Sequence, residues 1–342
     1  MNTLQSSYTP KFSQNKKRAI LLIALFLLCI LAFAFAISVG SAKVNLFDAI
    51  SALTSGKTDD TSLKILIHIR LPRVIGAIVA GAALAVSGVI IQAVINNPMA
   101  APNLIGVNAG AGFFTIAAMA LFPTMASYLP VAAFLGALLA ALLIFAISSV
   151  TGAGKITVTL IGIAIGSILT AGINTLKTLF PDSIYDVSGF LIGGLSGATN
   201  QNVIPAIIAV IPSLLIAIIF ARSLDALSLG KDVASGLGVR VRSTRLLWLG
   251  LAAILAGAAV SFSGLIGFVG LLVPHIMRRA VGNSHKILIP ASILGGGAFL
   301  LIADTLSRTI FTPYELPVGI LMSLVGGPFF IILVLNQRRA KK

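Results

Sequence analysis

The chain has 342 residues, of which 58% are hydrophobic and only 10% charged, and its formal net charge is +15. A soluble domain of this size has too little interior for that much apolar surface, so the solvent it is built for is lipid. Its basic balance reads as a membrane-orienting bias rather than a nucleic-acid surface, and the single cysteine, Cys29, excludes a disulfide framework or a cysteine metal cluster.

Residues 1–18, rich in Ser, Gln, Asn and Lys, read as a disordered cytoplasmic tail. Lys16, Lys17 and Arg18 ahead of an apolar run resemble a signal peptide. The run is long, however, and no small-residue cleavage site follows it cleanly, so it reads as a retained first span. A span takes about 20 apolar residues. Such runs recur near 19–38, 65–92, 103–122, 129–149, 156–180, 203–221, 245–263, 265–277, 287–307 and 317–335. The fold class is therefore all-α and integral to the membrane, with about ten transmembrane helices in one domain over 19–335 and a second cytoplasmic tail at 336–342. The eighth run is too short to cross as a plain helix. Tyr185 to Gly194, half apolar and flanked by Asp182 and Asp186, suits a short helix at the outer surface.

With an even number of spans and both termini inside, the inside segments collect the basic clusters at 16–18, 240–245, 278–279 and 338–342 against only Asp225 and Asp232. The outside segments balance, so the whole excess of +15 lies on one face, as cytoplasmic loops require.

Ala80-Gly81-Ala82-Ala83, Ser87-Gly88, Ile90 and Pro98 recur as Ala256-Gly257-Ala258-Ala259, Ser263-Gly264, Ile266 and Pro274 at a constant offset. Chance matching of small residues is the competing account; the constant register argues for a repeat. The copies fall five spans apart, which makes the repeat inverted, a device of transporters whose working region forms where Gly and Pro interrupt matching helices. Those interruptions are NNPMAAPNLIG, with Asn97, Pro98, Pro102 and Gly106, and GLIGFVGLLVP, with Gly264, Gly267, Gly270 and Pro274. Non-helical backbone at membrane depth must be buried in protein or line a cavity. Broken helix is the first reading for Pro98, Pro102 and Pro274, whereas close packing is the first reading for Gly162 and Gly166.

No span carries the Asp, Glu or His relay of an ion-coupled carrier; only Lys177, Asp304 and Arg308 come close, near outer helix ends. Asp304 and Arg308, four apart, can neutralise each other. His68, His275 and His285 are scattered and read as interfacial histidines rather than an enzyme's cluster. A nucleotide site is not present either: Ser51 to Thr58 has serine for the first glycine of a phosphate loop, and Gly152 to Lys155 lacks that glycine's spacing and the final Ser or Thr.

The longest inside loop, 222–245, carries Leu229, Gly230, Lys231, Asp232, Val233, Ala234, Gly236, Leu237 and Gly238. Apolar residues between glycines suggest two short helices at a bend, a knob for a cytoplasmic partner; a solvated linker with anchoring apolar residues is the alternative. Outside, Arg70-Leu71-Pro72-Arg73 runs against the charge bias, either snorkelling to lipid phosphates or forming a docking patch for carboxylates.

From about Val44 onward the chain closely resembles the permease family of bacterial importers for ferric siderophores, haem and cobalamin, the type II ABC importers. The resemblance rests on RLPR at 70–73, VAGAALAVSG at 79–88, NPMAAP at 97–102, LIGVNAGAG at 104–112, LGKDVASGLGV at 229–239, FSGLIGFVGLLVPHIMR at 262–278, ADTLSR at 303–308 and ELPVG at 315–319. It implies that Arg70, Arg73 and Arg308 receive acidic residues of an extracytoplasmic substrate-binding protein, and that 230–238 sits in a cleft of an ATPase. Lys231 stands where members often have Glu. The implied assembly has a second permease, identical or a sister chain, and two cytoplasmic ATPase subunits in the bacterial cytoplasmic membrane, carrying an iron(III)-siderophore without a cofactor of its own. Haem and cobalamin are the alternatives within the family, an ion-coupled secondary transporter the alternative outside it, and hydrolysis belongs to the separate ATPase.

Overall fold

In a computed structural model of the chain, residues 11–39, 61–150, 155–181 and 188–339 are described, and all regular structure among them is helical. The helices are α1 (Lys11–Ser38), α2 (Thr61–Ile95, with a wider π-wound turn at Leu66–Arg70), α3 (Val107–Leu121), α4 (Leu129–Val150), α5 (Lys155–Leu179) and α6 (Ser188–Ile192). There follow α7 (Asn200–Ile219), α8 (Ala221–Ser228), α9 (Lys231–Gly236), α10 (Val241–Ser263), α11 (Val269–Val281), α12 (His285–Ser307) and α13 (Val318–Arg339). Among the described residues eight helices are long and apolar enough to cross a membrane: α1, α2, α4, α5, α7, α10, α12 and α13. The third and eighth apolar runs form the shorter α3 and α11, of 15 and 13 residues. The ten apolar runs thus become eight helices long enough to span and two shorter ones, of which the eighth run was expected to be short.

Two boundaries differ from the sequence reading. α1 begins at Lys11, so 11–18 is helical rather than a disordered tail, and α13 runs on to Arg339. Lys, Gln and Arg are good helix formers, and a helix has no reason to stop where the hydrocarbon does. Residues 1–10, the acidic pair Asp182 and Asp186, the serine-led stretch 51–58 and Gly152 to Gly154 lie outside the described residues. The expected short helix between the fifth and sixth spans is α6.

α2 and α10 form the centre, with 83% and 78% of their most apolar stretches buried, against 11% for α1 and α5. Lipid tails are as apolar as leucine, so packing rather than hydrophobicity must hold such helices together. Small residues supply that packing. A Cβ on Gly81 of α2 would overlap the backbone of Gly296 in α12, and one on Gly88 would overlap the carbonyl of Gly270 in α11. Gly88→Ala is therefore expected to destabilise the chain by about 1–3 kcal/mol. Gly166→Ala, whose new Cβ meets only Ala109 Cβ at 4.0 Å, is expected to leave it unchanged. Thermal unfolding in detergent reads both.

The repeat has a structural counterpart. A Cβ on Gly76 of α2 would lie 3.1 Å from Phe262 near the end of α10, whereas Ser87 donates to Ala252 O near its middle at 2.8 Å. The two copies therefore run antiparallel. Gly81 abuts α12, and its counterpart Gly257 abuts Phe134 and Ala137 of α4. α3 packs on α4 as α11 packs on α12, so α2, α3 and α4 correspond to α10, α11 and α12. They diverge at the ends: Gly88 continues α2, while Gly264, at φ +67°, terminates α10.

Candidate translocation and coupling sites

Three regions of the molecule carry the residues singled out by sequence. At one end, α1 finishes, α2 begins and α12 finishes close together. Arg73 grips Asp304 with Nε at 3.0 Å and Nη2 at 3.0 Å, and donates through Nη1 to Glu315 at 2.7 Å. Arg308, four residues on from Asp304, reaches the same carboxylate only at 3.9 Å and donates instead to Ala36 O. Arg70 donates to Ile37 O. The last carbonyls of α1 have no partner within the helix and are electronegative, which is why two guanidiniums settle on them. All three arginines are buried, Arg308 at 3% exposure, and Asp304 is fully buried. Sequence spacing pairs Asp304 with Arg308; the structure gives it chiefly to Arg73, because a planar fork from a neighbouring helix meets the carboxylate edge-on.

The two glycine- and proline-rich breaks meet each other. α2 ends on left-handed Asn96, the Asn97 side chain accepts from Met99 N at 3.0 Å, and Pro98 lies in that turn. Pro102 opens a short 3-10 turn, and Gly106, at φ +71°, starts α3. The second break runs from Gly264 to Phe268, which is itself left-handed at φ +65°. A Cβ on Gly270 would touch Pro102 Cδ at 2.8 Å, and one on Gly267 would lie 3.2 Å from Asn103 Nδ2, so the breaks are in contact. Pro274 does not belong to them. It is buried inside α11, past the first turn, and the break it was expected to cause lies upstream at the glycines.

Beside the breaks is a cavity of about 770 Å³, lined from the first break by Asn103, from the second by Leu265, and otherwise by Asn108 and Ala109 of α3 and one face of α5. Sequence reasoning did not single out that face, although Ser167, Thr170 and Asn174 recur at helical spacing within an otherwise apolar run. All three are exposed. The Ser167 and Thr170 hydroxyl protons are spent on Ile163 O and Gly166 O, which leaves acceptor lone pairs facing out. Asn108 Oδ1 is buried and has no hydrogen-bond partner among the described residues. Gly162 and Gly166 both line this space; Gly162 is buried, whereas a Cβ on Gly166 would meet only Ala109 Cβ at 4.0 Å, so Gly166 makes room where close helix packing was expected. No lining residue carries a charge. Lipid is a poor neighbour for such a face, and water, cargo or another protein chain is a good one.

At the other end lies the knob. α8 and α9 are the two short helices expected at the bend, hinged at Gly230 with φ +102° and closed by Gly238 with φ +79°. Ala234 is buried beneath α9, whereas Lys231, Asp232 and Gly236 face solvent and Leu229, Val233 and Leu237 are 61%, 51% and 63% exposed. A Cβ on Gly282 would lie 3.2 Å from Arg18 Nη2, which puts the start of α1 at this same end.

A family model described as the FecCD transport family matches residues 27–336. The chain is 40% identical over 323 residues to the hemin transport system permease protein of Yersinia pestis, covering 92% of this chain and 96% of that one. It is 38% identical over 335 residues to an Fe(3+)-citrate import system permease protein of Bacillus subtilis, covering 96% and 99%. It is 40% identical over 279 residues to the cobalamin import system permease protein of Halobacterium salinarum, covering 81% and 75%. A solved metal-chelate type ABC transporter in an inward-facing conformation superposes with a TM-score of 0.81 at 27% identity, covering 92% of this chain and 98% of that one.

Proposed function

We propose, on the premise that this chain belongs to the FecCD transport family, that it is the membrane-spanning permease of an ATP-driven importer and that its cargo is an iron(III)-siderophore. The observation that carries the reading is the knob. Three large apolar side chains stand out from a short helical pair beyond the spans, and such a surface calls for a protein partner. ATP hydrolysis is assigned to that partner, a separate subunit seated on 230–238. The knob end, with both termini, then faces the cytoplasm.

A second permease closing over α5 would turn its open groove into the wall of a conduit between two subunits. Asn103, Asn108, Ser167, Thr170 and Asn174 would offer a passing chelate many weak, uncharged hydrogen-bond partners, which suits a path that must release what it admits. The breaks at Asn97, Pro98, Pro102 and Gly106 and at Gly264, Gly267 and Gly270 border this path and are its candidate gates. At the opposite end, three guanidiniums against Asp304 and Glu315 leave one positive charge in excess, the attraction for acidic residues of a substrate-binding protein. Because Arg70, Arg73 and Arg308 are buried beside the end of α1, docking would draw them outward.

Cells lacking and regaining the chain test the cargo. Restored uptake of a radiolabelled ferric siderophore, with haemin and cobalamin unaffected, is the expected result. Restoration of haemin or cobalamin alone would reassign the cargo, and accumulation by the purified chain in vesicles without an ATPase would reject the importer reading.

A further inference from the structure

The knob has a root as well as a grip. α9 touches only its neighbours α8 and α10 closely, whereas α8 is set into the helical bundle: Leu224 and Leu227 are buried, and the helix packs on α2 and α12. Two polar contacts lock α8 in place. Trp248 of α10 donates through Nε1 to Ser223 Oγ at 2.9 Å. Asp225 Oδ1 receives both the backbone N–H of His285 at 2.9 Å and its ring Nδ1 at 2.6 Å. A carboxylate has only acceptors to offer, so Nδ1 carries the proton in that contact.

His285 is the first residue of α12, is 1% exposed, and follows Ser284, whose side chain makes no cap of its own. The first N–H groups of a helix are unsatisfied by the helix itself. Here one of them is taken by a side chain from a different element, 60 residues earlier in the chain. Apolar contact alone lets helices slip, but two hydrogen bonds to one oxygen fix both the separation and the orientation of α8 and α12.

α12 continues for 23 residues, about 35 Å at the helical rise. Its middle lies in backbone contact with α2 at Gly81 and Gly296, and its far end holds Arg73 through Asp304. We infer that the Asp225–His285 contact is the strut that passes a displacement of the knob to α12, making Asp225 and His285 positioning residues for transport rather than members of the cargo path. This rests on the ATP-driven permease reading above.

The test uses the complete complex of permease, ATPase and binding protein in vesicles, and reads cargo moved per ATP hydrolysed for whichever of ferric hydroxamate, ferric citrate, haemin or cobalamin the native complex carries. Asp225→Ala should lower that ratio about tenfold while the ATPase still co-purifies, whereas Asp225→Asn, which keeps the acceptor oxygen, should stay within about twofold of native. A merely structural role would reduce the yield of complex and leave the ratio alone. A native ratio in Asp225→Ala, or Asp225→Asn as impaired as Asp225→Ala, overturns the strut. Should Asp225→Ala not assemble, His285→Ala carries the comparison, because it keeps the backbone contact and removes the ring; a native ratio there overturns the inference equally. A native complex that hydrolyses ATP yet moves none of the four compounds overturns the importer reading, and the strut with it.

Discussion

Replacing Asp304 with alanine is expected to lower the stability of the folded chain by about 3–5 kcal/mol, because it strands buried guanidiniums without the carboxylate that offsets their desolvation. Asp304 is fully buried and takes two nitrogens of Arg73. Glu315 contacts the same arginine from a position 28% exposed, so Glu315→Gln should cost less than about 1 kcal/mol. Thermal midpoints in detergent separate the two, and equal losses would show that the cluster is not organised around Asp304. Charge reversal of Arg73 sets a third carboxylate beside Asp304 and Glu315, so a docking defect in that variant says nothing until its stability is known.

Exchanging Leu229, Val233 and Leu237 together for serine is expected to leave the thermal midpoint of the isolated chain unchanged, since these side chains pack on little of it. Capture of the ATPase should weaken by at least about tenfold, because exposed apolar anchors carry most of the affinity of such a contact. Removing 230–238 altogether should abolish uptake and leave any bound ATPase hydrolysing without transport. Unchanged capture by the triple variant would move the grip elsewhere. The Lys231 and Asp232 side chains, both exposed, then become the next candidates.

Composition made the membrane class and the positions of the helices legible, because a run of apolar residues has few other uses. Helix ends were not legible: Lys16 to Arg18 extend α1 as readily as they would cap it. The knob was visible as glycines bracketing an apolar pattern. The Arg73 and Asp304 pair was hidden, since those residues are 231 apart and the nearer Arg308 offered a local partner. Asp225 and His285 were hidden for the same reason. Pro274 misled because proline inside a helix is usually read as a break, whereas the actual interruption uses the positive φ of Gly264 and Phe268. The α5 face was written in plain spacing at Ser167, Thr170 and Asn174, and was passed over because hydroxyls bonded to their own helix are common and cheap within apolar spans.

Trp248 is the chain's one tryptophan, and it is 5% exposed where its indole meets Ser223. Indole emission, excited beyond the absorption band of the tyrosines, therefore comes from a single ring seated at the root of the knob. Any rearrangement that breaks that bond or admits water there is written into the colour and intensity of this intrinsic fluorescence, so the protein carries its own optical gauge with no dye attached.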